Sequence, residues 1–305
     1  MGRLIGMAAN KGGHGPMKNG SYFIPREQIN SFMNPSAMNN QEGLYLLWET
    51  DPLVVRRVLP PLLEPLDPQR PIAMVYVVNI REPTFAPWYM EGGLSILCRY
   101  GEIVGAYFMN LQLSGPGAHM GLCSGREKAG LPKKMCERIV VERNGDWASA
   151  VIERKGRIII SVEVEMGAYN DPLMEIMRKD YGPGYRERGA CLLFQYEMGQ
   201  ADDGHTKFPK MSLVHYDSVT DFETWEPAFV KSLHMEPSLD DPWSEITVVK
   251  PLGAGYSVNS NWIAGVSPLV QFEGDEADSL ISYLFTGRWD RSTLVSGRFQ
   301  RYGQF

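Results

Sequence analysis

The segment IVVERNGDWASAVIERKGRIIISVEVEM, residues 139–166, decides the fold because it reads as three strands joined by two tight turns. Asn144-Gly145 tolerates positive φ at both positions, which is a strong signal for a two-residue hairpin turn. Lys155-Gly156 turns the chain a second time, and apolar residues then alternate with glutamates as in a half-buried strand. The segment therefore predicts an antiparallel meander with strands at 139–143, 147–154 and 158–166.

Outward from this meander, apolar segments and turn signals predict a fold dominated by strands. Further strands are predicted at 43–48, 72–80, 106–113, 192–196, 211–216 and 245–250. Helices are predicted to start at Asp51-Pro52 and Asp171-Pro172, where a capping side chain precedes proline, and a later helix spans about 277–284. The fold class is α+β and mostly antiparallel β. A closed sheet or barrel with flanking helices is favoured because so many strands would otherwise leave open edges.

The chain of 305 residues is interpreted as one large domain with two extensions. Residues 1–42 are rich in Gly, Asn and Met and are predicted to form an N-terminal arm. Residues 43–265 form the main domain, and residues 266–305 are predicted to be a helical extension packed on that domain.

Composition excludes several classes of function. The net charge is −6 and no run of basic residues occurs, so nucleic acid is not expected as a partner. The longest apolar stretch, residues 71–80, is far short of the roughly 20 residues that span a bilayer, so no membrane association is expected. The scattered histidines and cysteines lack metal-ligand spacing, and neither a metal nor a cofactor is predicted. Reduced thiols and the absence of a signal-peptide pattern favour a cytoplasmic protein.

One segment carries a chemical signal: Gly125-Arg126-Glu127, followed four residues later by Pro132-Lys133-Lys134. A lysine pair is most often a solvated surface feature. Here the pair follows an uncharged stretch and leads into an apolar strand, so that one ammonium group can be desolvated. A lysine attacks a ketone only as the free amine, and its ordinary pKa is about 10.4. Repulsion from Lys134 contributes only a minor part of the required shift, so burial of Lys133 must contribute most of it.

This lysine motif resembles that of the acetoacetate decarboxylase superfamily, in which the first lysine of the pair forms a Schiff base. The segment Trp88–Gly93, with Glu91, resembles the part of the family that carries its active-site glutamate. Weaker matches occur at 48–51, 57–60 and 165–167, and the resemblance covers about Gly43 to Trp262.

The resemblance implies roles for individual residues. Lys133 would be the imine-forming nucleophile, Glu91 the general acid and base, and Lys134 a charge that tunes the pKa of Lys133. Gln41 aligns where the decarboxylase has an active-site arginine, and Tyr76 aligns where it has a second buried carboxylate, so both are predicted to bind substrate. Tyr89, Met109 and Leu131 would also line the cavity. Arg126 and Glu127 are predicted to form a structural ion pair.

The predicted function is that of an imine-forming carbon–carbon lyase acting on a small keto acid. Decarboxylation of a 3-oxo acid is the leading prediction, because the resemblance is to a decarboxylase family. Two alternatives stay open: condensation of pyruvate with an aldehyde by an aldolase-dehydratase, and a non-catalytic relative that binds a ligand in the same cavity. The resemblance also implies a homo-oligomer.

Overall fold

The computed structural model describes residues 22–295 and divides the chain into two units, Met1–Asn34 and Pro35–Phe305. Residues 22–34 of the first unit contain a 3₁₀ turn, Arg26–Ile29, and a short helix, α1 (Asn30–Met33). The predicted arm lies only partly within the described residues. Its residues 37–42 belong to the first strand rather than to a separate arm.

The second unit is dominated by strands. They are β1 (Ala37–Glu49), β2 (Glu64–Pro65), β3 (Ile72–Pro83), β4 (Tyr89–Tyr100), β5 (Ile103–Ser114), β6 (Lys133–Met135), β7 (Arg138–Asn144), β8 (Trp147–Arg154), β9 (Arg157–Met166), β10 (Arg186–Gln200), β11 (Thr206–His234) and β12 (Lys250–Glu273). The helices are α2 (Pro52–Val58), α3 (Ala118–Cys123), α4 (Pro172–Arg178), α5 (Asp275–Arg288) and α6 (Ser292–Val295), with a π-helical turn at Ser124–Lys128. None of the helices within residues 22–295 is long and apolar enough to cross a bilayer.

The strands of the described chain form one sheet that curls into a ring. The order β5-β4-β3-β1-β12-β11-β10 is antiparallel throughout, and β10 returns to β5 through the parallel pair Cys191 and Ala106. The strands β9, β8 and β7 continue from β11 as the predicted meander. The α+β, mainly antiparallel class is confirmed. The predicted closed sheet is confirmed as this ring, which is not a true barrel because a single bridge closes it and the meander branches from β11.

The meander forms a second layer behind the ring. Its apolar face, with Ala150, Ile152 and Val162, packs in one buried cluster with Val75 and Leu94 of the ring strands. Helix α5 joins the same cluster through Ala277, Leu280 and Leu284, which lie in the span 277–284 that the sequence predicted to be helical.

Two predicted boundaries differ from the structure. Residues 246–249 are not a strand: they follow a 3₁₀ turn, Trp243–Glu245, and lead into β12. Val249 is 63% exposed, so this apolar run connects elements instead of packing in a sheet. The boundary predicted between residues 265 and 266 falls inside β12, which continues to Glu273. Residues 296–305 lie outside the described part of the chain.

The register of the ring brings one row of residues together on its inner face. Lys133 lies opposite Leu111, which pairs with Gly93, and Gly93 pairs with Tyr76. Tyr76 in turn pairs with Tyr45, the partner of Gly255 in β12. Segments far apart in sequence therefore meet at one level of the sheet, where side chains share a face.

Candidate active site

Lys133 is the first residue of β6, and its side chain packs against the π-helical turn. Gly125 lies in that turn, and a Cβ atom there would come within 2.6 Å of Cδ and Cε of Lys133. Gly130 adopts a φ of +72°, and the following amide of Leu131 donates to the carbonyl of Gly125 over 3.1 Å. The glycines of the motif thus let the chain fold closely over the lysine stem. Single π-helical turns of this kind are frequent at functional sites.

Lys133 and Glu91 form a buried ion pair. Nζ of Lys133 donates to Oε2 of Glu91 over 2.6 Å, and the two residues are 5% and 6% exposed. Glu91 lies on β4 between Val78 of β3 and Leu113 of β5, so that its backbone is fixed on both sides. Transfer of one proton from the ammonium group to the carboxylate leaves two neutral groups, which a buried site accommodates without an unpaired charge.

Tyr76 is hydrogen-bonded to the second oxygen of this carboxylate. Its hydroxyl donates to Oε1 of Glu91 over 2.6 Å. The ring crosses Gly93, where a Cβ atom would lie 2.8 Å from Cε1 of Tyr76, so glycine is needed for this approach. Burial, followed by the charge of Glu91, raises the pKa of Tyr76 well above its usual value. The hydroxyl is therefore a protonated donor at neutral pH.

A neutral polar pair lies next to these groups. Gln41 is buried, and its Nε2 donates to Oδ1 of Asn259 over 3.2 Å. Nδ2 of Asn259 donates to the hydroxyl of Tyr45 over 2.9 Å, and the Tyr45 ring stacks on Tyr76 with centroids 6.0 Å apart. Burial is the main cause that raises the pKa of Tyr45 to about 12. Sequence reasoning missed Tyr45 and Asn259, because only the pairing of β1 with β3 and β12 brings them to the site.

Aromatic and aliphatic side chains also lie near the lysine. Nζ of Lys133 lies 5.9 Å from the ring centre of Tyr89, which packs in one cluster with Leu131 and Phe108. Met109 was predicted to line the substrate cavity, but the structure places it away from Lys133. A register shift opposite Leu94 and Ser95 leaves Phe108 against Tyr76, whereas Met109 lines a separate cavity of about 670 Å³ beside α5.

Lys134 points to the other face of β6 and enters a buried charge cluster. Its Nζ donates to the carbonyl of Asp240 over 2.7 Å and lies 3.2 Å from carboxylate oxygens of both Asp241 and Asp290. Burial lowers the pKa of Lys134, and the two carboxylates oppose this shift. Because its charge is compensated here, Lys134 is poorly placed for the predicted role of tuning Lys133 by repulsion. The contacts show instead that it ties β6 to the 240–241 loop and to the segment after α5.

The predicted ion pair between Arg126 and Glu127 is not among the ion pairs of residues 22–295. The Arg126 guanidinium lies over the Trp289 ring, 5.8 Å from its centre, and Glu127 is exposed. Arg126 therefore connects the π-helical turn to the end of α5 by a cation–π contact.

The site thus consists of a lysine that is buried against a carboxylate on one face of a curled antiparallel sheet. The family model described as "Acetoacetate decarboxylase (ADC)" matches residues 22–269, which is more than the sequence motifs alone indicated. The chain belongs to the acetoacetate decarboxylase family, and the predicted resemblance is confirmed.

Relatives within and around this family differ in their reactions. A CLA biosynthesis isomerase of Lactiplantibacillus plantarum is 33% identical over 89% of this chain and 95% of its own length. The crystal structure of acetoacetate decarboxylase from Legionella pneumophila is similar with a TM-score of 0.64 and 17% identity, covering 78% of this chain and 88% of its own. The enduracididine biosynthesis enzyme MppR, complexed with the condensation product of pyruvate and imidazole 4-carboxaldehyde, has a TM-score of 0.56 and 14% identity, covering 77% and 89%. At these identities the two structures demonstrate a shared fold.

Proposed function

We propose that this protein is an isomerase that binds an unsaturated oxo compound as an imine of Lys133 and moves its double bond. The observation that carries the proposal is the buried contact of Lys133 with Glu91, whose second oxygen accepts from Tyr76. A nucleophile within hydrogen-bond reach of its base, itself oriented by a third group, is the usual arrangement for covalent catalysis.

The chemistry needs only groups of this chain and water. Glu91 takes a proton from the Lys133 ammonium, and the free amine adds to the carbonyl carbon. Glu91 gives this proton to the hydroxyl group of the adduct, and the loss of water leaves a protonated imine, which withdraws electrons from the neighbouring bonds. Glu91 then removes a proton from the adjacent carbon to give a dienamine and returns one at the far end of the conjugated system. Addition of water releases the isomerised ketone and restores the lysine.

Two observations favour isomerisation. The relative that matches over nearly its whole length is an isomerase by name. In addition, the hydrogen bonds and ion pairs of the described residues bring no cation other than Lys133 to Glu91, Tyr76 or Tyr45. A 3-oxo acid carries its carboxylate next to the reacting carbon, and the neutral Gln41 and Asn259 offer no charge to hold it.

Decarboxylation of a 3-oxo acid is the second candidate, supported by the family match over residues 22–269. It would use the same imine, with the bond to the carboxylate breaking in place of a carbon–hydrogen bond. Aldol-dehydration has only the fold likeness to MppR in its support. A non-catalytic ligand-binding protein is the outcome to consider if no imine forms.

Reductive trapping tests the imine directly. The protein is incubated with a β,γ-unsaturated ketone, acetoacetate or pyruvate in the presence of borohydride, and the labelled peptide is identified by mass spectrometry. We expect an adduct on Lys133 and none on the exposed Lys207. The variant Lys133→Met should lose the adduct and the variant Lys207→Met should keep it. Failure of every carbonyl compound to label Lys133 would contradict the proposed function.

The reaction is then assigned by two assays run side by side. Isomerisation of the unsaturated ketone is followed by the absorbance of the conjugated product, and decarboxylation by release of carbon dioxide from acetoacetate. Turnover of acetoacetate without turnover of the unsaturated ketone would reverse the order of the two candidates.

A further inference from the structure

The aromatic row of the site continues past Tyr45 to the far end of the ring. The Trp225 ring lies 5.9 Å from the Tyr45 ring, measured between centroids. It lies across Gly255, where a Cβ atom would come within 2.1 Å of Trp225 Cζ2, so only glycine permits this position. Tyr76, Tyr45 and Trp225 therefore form a continuous aromatic wall that leads away from Glu91.

Helix α4 packs against the ring strands next to Trp225. The Asp171 side chain caps the helix by accepting from the amide of Leu173 over 2.9 Å. Met174 is fully buried and packs in one cluster with Trp225 and Leu252 of the ring strands. The last residue of the helix is Arg178, whose charge is favourable at a helix C-terminus.

Arg178 lies against the aromatic wall with part of its hydrogen-bonding capacity unused. Its guanidinium carbon is 4.5 Å from the ring centre of Tyr181 and 5.8 Å from that of Trp225. Nη1 donates to the hydroxyl of Tyr181 and lies 3.7 Å from Oε1 of Glu187. A charge-assisted hydrogen bond is about 2.7–2.9 Å long, so this carboxylate does not saturate the guanidinium. Nε is buried and has no hydrogen-bond partner among the described residues.

A buried donor without a partner needs an explanation, because native proteins satisfy nearly all such groups. A planar guanidinium matches the geometry of a carboxylate, and here Nε is the donor that is left without a partner. Tyr45 lies between the two ends of the wall, because its ring is next to those of both Tyr76 and Trp225. A ligand that touched Lys133 and Arg178 would thus run along the aromatic side chains.

We propose that Arg178 binds the carboxylate of an elongated oxo acid whose carbonyl group lies at Lys133 and whose apolar chain covers Trp225 and Tyr45. The proposal rests on the imine function proposed above and extends it to the class of substrate. The proposal also explains why Gln41 and Asn259, which are neutral, lie near the reacting carbon: the carboxylate of such a substrate is remote from that carbon.

Equilibrium binding provides a test that does not depend on imine formation. Dissociation constants are measured by calorimetry for straight-chain oxo acids of short, medium and long chain and for their neutral methyl esters. Arg178→Met removes the charge, Arg178→Lys keeps the charge without the planar fork, and Arg186→Met is a matched control because Arg186 is an exposed arginine paired with Asp221. We expect the Arg178→Met change to weaken binding of the longer acids about 10- to 100-fold, with Arg178→Lys intermediate and Arg186→Met unchanged.

The esters separate a local effect from a damaged fold, since a folded Arg178→Met protein should bind them as the unaltered protein does. Equal losses for acid and ester, no loss for either, or no preference of the unaltered protein for longer acids would overturn the proposal. Borohydride labelling of Lys133 is read in the same samples. Arg178-dependent binding without labelling would contradict the imine function alone, and labelling without Arg178 dependence would contradict the carboxylate site alone.

Discussion

Nζ of Lys133 lies 2.6 Å from Oε2 of Glu91, and both side chains are almost completely buried. The sequence predicted both residues for the site, with Glu91 as the general acid and base, and expected burial to contribute most of the shift that frees the amine. The structure places the two groups in direct contact. Within such a pair the carboxylate can receive the proton that the amine must lose, and the same group can later move protons on carbon.

Replacing Glu91 with glutamine should therefore impair proton transfer more than binding. Glutamine keeps the shape and can still accept from Tyr76, but it cannot take up a proton. We expect the rate of isomerisation and of hydrogen exchange next to the carbonyl to fall about 100- to 10,000-fold. Deuterium incorporation, followed by nuclear magnetic resonance, measures the second rate. Glu127→Gln, at an exposed position of the π-helical turn, is the control. Undiminished exchange in the Glu91→Gln variant would assign the base to another group.

Tyr76→Phe should lower the rate by a smaller factor. The substitution removes the donor to Oε1 of Glu91 but leaves the ring on Gly93. A hydrogen bond to a charged group contributes about 1.5–3 kcal/mol, which corresponds to a loss of roughly 10- to 100-fold. Because the pKa of Tyr76 is raised well above 10, this loss should be the same from mildly acidic to mildly alkaline pH. Rate measurements across pH check this, with Tyr107→Phe as the control on the opposite face of the sheet. A loss confined to one side of neutrality would show that the hydroxyl titrates.

Gly125→Ala should displace the lysine without changing its chemistry. The added methyl group would lie 2.6 Å from Cδ and Cε and 3.1 Å from Nζ of Lys133. A displacement of about 1 Å in a catalytic group costs about 100-fold in rate, so imine formation should slow by that order. The rate of borohydride labelling measures it. Gly199→Ala is the matched control because a Cβ atom there meets nothing within 4 Å. Equal labelling rates in the two variants would contradict the prediction and would show that the turn moves to accept the methyl group without displacing Lys133.

The charge cluster around Lys134 should make the protein sensitive to acid through Asp290. Burial opposes ionisation of this carboxyl group, but hydrogen bonds from Arg154 and Lys155, together with the charges of Arg154 and Lys134, hold its pKa below the usual range. A carboxyl group whose pKa is lower in the folded state contributes stability above its unfolded pKa of about 4, and this stability is lost as the pH falls further. The free energy of unfolding in urea should therefore decrease below about pH 4.

Asp290→Asn should be less stable at neutral pH and should lose less stability on acidification. Asp202→Asn, at an exposed position, is the control. Parallel pH profiles for the unaltered protein and the Asp290→Asn variant would show that other carboxyl groups carry the acid sensitivity.

Local patterns were sufficient for much of the fold. The turn signals at 144–145 and 155–156 predicted the meander. Gly145, Lys155 and Gly156 adopt positive φ, whereas Asn144 is the last residue of β7 and pairs with Trp147, so the first turn lies one residue later than predicted. Asp51 and Asp171 cap α2 and α4 as their position before proline predicted. The strand predicted at 245–250 was wrong because apolar residues also occur in connecting segments. Periodicity over so few residues does not distinguish a strand from such a segment.

The sequence by itself predicted the pair Lys133 and Glu91, since the spacing of Lys133 from its glycine-containing turn and the segment around Glu91 are local features that resemble a known family. Only the tertiary structure decided what surrounds the pair. Tyr45, Asn259, Trp225 and Arg178 lie on four separate elements, and the register of β1, β3, β11 and β12 brings three of them to one face of the ring. Met109 and Lys134 were misjudged for the same reason. A single bulge or one step along a strand turns a side chain to the opposite face of a sheet, and pairing with distant strands, which a sequence does not display, sets that register.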